Sequence, residues 1–239
     1  ILTGQSIQAI EGKPFRYIKF ADQRYRLSEV KLLSPLVPSK IVAVGLNYRL
    51  HAEETNNPLP DVPRIFLKPP TAMIGPEDNI IYPPSSTRVD YEGELGVVIK
   101  KTAWQVAEEI ALDYVLGYTC FNDVSARDLQ RLDEQWTRAK GFDTFAPMGP
   151  CIETELEPGN VVLETYLNGE LKQSTNTSDL IFDVPKIVSF ISEVMTLLPG
   201  DIIATGTPSG IGPMYPGDTV EIKIESIGTL RNHVVKNGG

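Results

Sequence analysis

The sequence predicts a β-rich α+β fold. Three observations carry that expectation. Apolar residues fall mostly in short, strand-like runs, helical periodicity is confined to a few stretches, and 19 prolines punctuate the 239 residues. Phe15-Arg16-Tyr17-Ile18-Lys19-Phe20 alternates and, with Arg24 to Leu27 after a polar turn at Asp22 and Gln23, reads as a β-hairpin unit. Pro35 and Pro38 then break the chain, which places a boundary between a small N-terminal β unit (1–39) and a main domain (40–239) that opens on the buried-type strand Ile41 to Val44. Further strands are expected at Ile65 to Leu67, Glu94 to Ile99, Val115 to Tyr118, Val162 to Leu167, Asp201 to Thr205, Thr219 to Ile224 and Leu230 to Val235. Asn168-Gly169 marks a hairpin between Leu163 to Leu167 and Leu171 to Gln173. One helix is expected over Ala103 to Leu112. A second runs from Pro185 to Leu197, with Asp183 as its cap and Ile187, Val188, Ile191, Val194 and Met195 on its apolar face.

A formal charge of -9 argues against nucleic acid, whose phosphates demand a basic surface. Cys120 and Cys151 lack metal-type spacing and read as reduced core residues of a cytoplasmic protein, with a single disulfide as the alternative. No run is long and apolar enough to span a bilayer, and no basic-then-apolar leader is expected.

Glu92 and Glu94 flank Gly93 in a strand-like run, so both carboxylates project from one face while Val89, Tyr91, Leu95, Val97 and Ile99 line the other. Carboxylates held so close repel. A solvated acidic face would tolerate them; a shielded one needs a raised pKa, a basic side chain or a hard cation. Asp123 adds a third acid where the strand after Tyr114 ends, and three carboxylates without His or Cys suit Mg²⁺ or Mn²⁺ over zinc. After the first strand of the main domain, the chain becomes polar and helix-compatible, and His51 and Glu54 are neighbours at helical spacing. A carboxylate beside an imidazole raises its basicity, as taking a proton from water requires. Polar and proline residues flank this stretch, which makes it a candidate lid. Thr205-Gly206-Thr207-Pro208-Ser209-Gly210 is either a tight turn or a cradle of N–H groups for an anion. Arg127, Gln130 and Lys140 complete the polar candidates. One helical turn begun after Asp123 would bring Arg127 and Gln130 to the carboxylates, although Arg127 could equally pair with Asp128 or Glu134.

In this order, Val44-Gly45-Leu46-Asn47-Tyr48-Arg49-Leu50-His51-Ala52-Glu53-Glu54, Phe66-Leu67-Lys68-Pro69, Asp90-Tyr91-Glu92-Gly93-Glu94-Leu95-Gly96, Asn122-Asp123-Val124-Ser125-Ala126-Arg127-Asp128, Ala139-Lys140-Gly141-Phe142-Asp143 and Thr205 to Gly210 resemble the fumarylacetoacetate hydrolase family. The resemblance implies a mixed β-roll or sandwich, usually dimeric, with Mg²⁺ or Mn²⁺ on Glu92, Glu94 and Asp123. It also implies a water-activating pair His51 and Glu54 on a lid, a catalytic Lys140, and substrate contacts from Arg127, Gln130 and Thr207. The chain is similar to the shorter members, described as 2-hydroxyhepta-2,4-diene-1,7-dioate isomerases, acylpyruvate hydrolases or oxaloacetate decarboxylases. By this resemblance, the founding hydrolase's large N-terminal domain is not expected here. The expected activity is metal-assisted enolate chemistry, by isomerisation or C–C hydrolysis, on small 2-oxo or 2-hydroxydienoic acids from aromatic catabolism. Oxaloacetate decarboxylation, or a non-catalytic dimer that binds oxo acids, is the alternative.

Overall fold

The computed structural model describes residues 1–13 and 15–238. An N-terminal sheet holds β1 (Leu2–Thr3), β2 (Ser6–Lys13) and β3 (Tyr17–Arg26) in that order. Next come β4 (Ile41–Gly45), β5 (Arg64–Lys68), β6 (Met73–Ile74), β7 (Asn79–Tyr82), β8 (Val89–Tyr91), β9 (Gly93–Ile99), β10 (Val115–Asn122) and β11 (Ser125–Ala126). The last third adds β12 (Ala146–Glu153), β13 (Val162–Leu167), β14 (Glu170–Asn176), β15 (Ile202–Ala204), β16 (Gly212–Met214), β17 (Thr219–Ile224) and β18 (Gly228–Lys236). Among the described residues four α-helices intervene: α1 (Arg49–Glu54), α2 (Arg127–Asp133), α3 (Thr137–Lys140) and α4 (Val184–Val194). Among the described residues, no helix is long and apolar enough to cross a membrane.

The central sheet is mixed and runs β5-β4-β15-β9-β10-β12-β6, with β4 parallel to β15 and β9 antiparallel to both its neighbours. A five-stranded sheet, β14-β13-β17-β18-β7, packs on it through β13, β17 and β18. Both faces of the central sheet are covered. Val42, Leu95, Val97 and Ile203 point into the larger core beside Leu163, Ile187, Ile191 and Ile222. Ile41, Val98, Phe121, Met148 and Ile202 form a second core on the reverse, closed by Phe15 and Leu36 from the N-terminal stretch. Such strands read as continuous apolar runs because neither face meets water.

Two expectations fail locally. β3 passes straight through Asp22 and Gln23, and the reversal lies before Tyr17; this sheet is exposed along nearly all of β3, so polar residues there do not signal a turn. The helix expected over Ala103 to Leu112 is instead an irregular stretch followed by a 3₁₀ segment, Glu108–Tyr114. Tertiary partners supply its backbone bonds: Ala103 exchanges N–H···O bonds with Leu197, and the N–H groups of Gln105 and Val106 go to Ser192. Elsewhere the local signals hold. Asn168 and Gly169 both adopt positive φ, 54° and 79°, as a two-residue hairpin requires, and the Asp183 carboxylate caps α4 by accepting the Lys186 N–H at 3.0 Å.

Candidate active site and metal centre

Two strand ends build the floor of the site. Asn122 at the end of β10 pairs with Gly93 at the start of β9, so Asp123 lies opposite Glu92, and its N–H donates to the Glu92 carbonyl at 2.9 Å. The strand expected through Glu92 is interrupted there: β8 belongs to the small sheet β11-β8-β16, and β9 to the central one. Glu92 is the joint. Glycine is needed between the two acids because a Cβ at Gly93 would stand 2.2 Å from Thr165 Oγ1, where the second sheet presses in. Glu92, Glu94 and Asp123 are all buried, and one oxygen from each lies within 4.8 Å of the others. Ligands across one hard cation sit about 4–5 Å apart.

Buried cations meet most of this charge. Lys140, at the end of α3, donates to Glu92 Oε2 at 2.8 Å and to Asp123 Oδ2 at 2.6 Å. Lys68, from β5, donates to Asp123 Oδ1 at 2.5 Å and to the Val124 carbonyl at 3.2 Å. Arg127, at the start of α2, bonds Glu92 Oε1, Gln130 Oε1 and, at 3.0 Å, Asp90 Oδ2, while Arg88 grips Asp90 from the other side. The expected α2 turn therefore does carry Arg127 and Gln130 to the carboxylates. Arg127 does not pair with Asp128, which instead binds Ser86 and Thr87.

Burial opposes ionisation of Glu92, but Lys140 and Arg127 outweigh it and hold that carboxyl far below its ordinary range. Lys68 and Lys140 diverge for the same kind of reason. Burial dominates at Lys68 and lowers its pKa, whereas at Lys140 the attraction of Asp123 and Glu92 overcomes burial and raises it. Glu94 is the exception among the acids. Among the described residues it accepts only the Gly206 N–H, at 2.8 Å, and burial followed by repulsion from Asp123 and Glu92 pushes its pKa well up. An all-oxygen donor set with one buried carboxylate lacking a cation fits Mg²⁺ or Mn²⁺.

His51 and Glu54 face the same cavity from α1. A carboxylate at Glu54 can only accept, so His51 Nδ1 donates to Glu54 Oε2 at 3.0 Å, and Nε2 is the ring nitrogen left for other partners. Glu54 Oε1 accepts the Gly210 N–H at 3.0 Å, which ties the helix to the glycine-rich turn. Two of that turn's N–H groups go to the protein's own acids: Gly206 serves Glu94, and Gly210 serves Glu54. Thr207 lines the cavity, but its hydroxyl donates to the Gly93 carbonyl at 3.1 Å and accepts from Gln173 at 2.8 Å. The lid stretch is more firmly rooted than its polarity suggests. Tyr48, His51 and Ala52 are buried, and the Asn47 side chain bonds Thr205 and Phe182; Arg49 and Leu50 face outward on the other side of the helix, and from Glu53 to Leu59 the chain is mostly exposed.

All nine sequence-predicted residues converge: His51, Glu54, Glu92, Glu94, Asp123, Arg127, Gln130, Lys140 and Thr207 line one cavity of about 590 Å³. Two participants, Asp90 and Lys68, lie in the motifs that carry the family resemblance but receive no role from the sequence. Asp90, which orients Arg127, could have been found by extending the period of two back from Glu92. Lys68 gives no local sign of its role, because a lysine ending a strand usually reaches solvent.

Residues 40–235 match the fumarylacetoacetate (FAA) hydrolase C-terminal family, and residues 1–35 match the Rv2993c-like N-terminal family. The solved 2-hydroxyhepta-2,4-diene-1,7-dioate isomerase from Mycobacterium marinum is 49% identical and superposes with a TM-score of 0.92, covering 98% of this chain and 89% of its own. Maleylpyruvate hydrolase from Sphingobium sp. SYK-6, solved with manganese(II) and pyruvate, is 38% identical at a TM-score of 0.79, over 91% of this chain and 77% of its own. The mitochondrial oxaloacetate tautomerase FAHD2B of Bos taurus is 44% identical over 221 residues, 87% of this chain and 70% of that protein. By sequence, fold and the family model alike, the chain belongs to the fumarylacetoacetate hydrolase family.

Proposed function

We propose that the protein is a Mg²⁺- or Mn²⁺-dependent enzyme acting on small 2-oxo or 2-hydroxydienoic acids of aromatic catabolism, by isomerisation or C–C hydrolysis. The observation that carries this reading is the opposition, within one cavity, of the Glu92-Glu94-Asp123 carboxylates and the His51–Glu54 pair. When bound, a divalent ion would supply Lewis acidity toward the carboxylate and keto oxygens of a 2-oxo acid, lowering the energy of an enolate. In the inner cluster Asp90, Glu92, Glu94 and Asp123 face Arg88, Lys68, Arg127 and Lys140, so most of the cations there are already engaged by the protein's own carboxylates. His51 Nε2 is the group available to take a proton from water or carbon, and Glu54 stabilises the imidazolium that results. Lys140 holds Glu92 and Asp123 in place from within the cavity wall.

A second reading, oxaloacetate as the substrate, is favoured by the 44% identical tautomerase. Decarboxylation would ask less of His51 than hydrolysis does, whereas tautomerisation still needs a base to move a proton. The intact His51–Glu54 pair speaks against a mere oxo-acid-binding dimer, since chelation needs no base. The test is turnover of acylpyruvates, hydroxymuconate analogues and oxaloacetate, followed by enol absorbance with added Mg²⁺ or Mn²⁺ and again after chelation. Turnover that depends on metal supports the proposal; no turnover of any oxo acid with either metal overturns it.

A further inference from the structure

Five cationic side chains line the cavity, and only three are matched. Arg88, Arg127 and Lys140 are bonded to Asp90, Glu92 or Asp123, whereas Arg64 and Arg131 have no carboxylate partner among the described residues. Their placement is ordered. Along β5, alternate residues share a face: Lys68 touches Asp123, the Phe66 ring lies 5.1 Å from the Lys140 ammonium, and Arg64 follows at the far end, beside Gly45. Four residues of strand span roughly 13 Å. On α2, Arg131 follows Arg127 by four residues and so continues the same helix face outward. Phe66 and Trp136 line the cavity as well, edge to face at 5.1 Å, and offer an apolar wall to a flat carbon chain.

We propose that Arg64 and Arg131 form a second anion subsite at the cavity mouth, which takes the distal carboxylate of a dicarboxylic oxo acid longer than four carbons. This rests on the oxo-acid reading above and deepens it. The inner cations are already committed to the protein's own carboxylates, so a second carboxylate on the substrate finds its counter-charge only at these two arginines. A guanidinium can bind it through two parallel N–H groups.

The test uses 2-oxoadipate and 2-oxohexanoate, which differ only in the distal carboxylate, with oxalate as a ligand that has no distal group. Binding to the Mn²⁺-loaded protein is measured by calorimetry for wild type, Arg64→Gln, Arg131→Gln and the double variant. Wild type should prefer 2-oxoadipate, and each substitution should weaken that ligand by about threefold to tenfold while leaving 2-oxohexanoate and oxalate unchanged. Both arginines are exposed, so folding should be unaffected, which melting curves would verify. Equal weakening of all ligands, or no change in the preference for 2-oxoadipate, overturns the subsite. Failure of every ligand to bind the loaded wild-type protein would overturn the oxo-acid reading itself, and the subsite with it.

Discussion

The two walls of the cavity are built on opposite principles. The carboxylate wall is buried and cross-braced: Glu92 and Asp123 each have two basic partners, and Lys68 and Lys140 are themselves almost wholly enclosed. The imidazole wall is a six-residue helix held at its root by Tyr48 and Asn47 and at its tip by one bond from Glu54 to Gly210. One wall is fixed by the cost of separating buried charges; the other rests on fewer contacts, chiefly the buried Tyr48 and Ala52 and the hydrogen bonds of Asn47 and Glu54. The difference separates the group that must hold geometry from the group that must deliver a proton.

The largest expected effect breaks the chemistry and spares the carboxylate wall. His51→Ala should lower acylpyruvate hydrolysis by about 10²–10⁴-fold, the usual loss of a positioned base, while metal affinity measured by titration stays the same. Oxaloacetate decarboxylation should fall less, and isomerisation should fall between the two. A marked loss of metal affinity would instead make His51 a ligand and merge the two walls.

Next in size is the cost of breaking the braced wall. Lys68→Met leaves Asp123 short of a buried partner, which typically costs about 3–5 kcal/mol. For a domain of this size that is a fall of roughly 6–20 °C in melting temperature. Glu54→Gln, at a half-exposed pair, should cost no more than about 1 kcal/mol. Calorimetry that places the two variants together would erase the contrast.

Glu94 sharpens the contrast through pH. Its folded pKa is raised, so the unfolded chain releases this proton first, and stability of the metal-free protein falls as pH rises from the ordinary carboxylate range toward the raised value. Metal must displace the same proton, so stabilisation by Mg²⁺ or Mn²⁺, about 2.7 kcal/mol at a hundredfold excess over Kd, should grow over that window. In Glu94→Gln both trends should flatten. Melting temperatures against pH, with and without metal, would decide; a metal effect that is constant with pH would remove Glu94 from the ligand set.

The smallest effect is local. Hydrogen exchange from Glu53 to Pro60 should be faster than in β4 and β9 and should slow with metal plus oxalate. Exchange already slow without ligand would mean that the imidazole wall is as fixed as its partner.

Sequence alone was enough for what depends on local order. The period of two through Glu92 and Glu94, the i, i+3 spacing of His51 and Glu54, the Asn168-Gly169 turn and the Asp183 cap are short-range relations that backbone geometry enforces wherever the segment lies. Tertiary structure decided the rest, because it concerns groups far apart in the chain. The Ala103 stretch gave up its helix because Leu197 and Ser192 offered its N–H groups other partners. Gly93 is glycine because Thr165 stands against it, and Lys68 is an internal counter-ion because β5 ends over Asp123. A buried charge is set by what surrounds it in space, and no window of neighbouring residues records that.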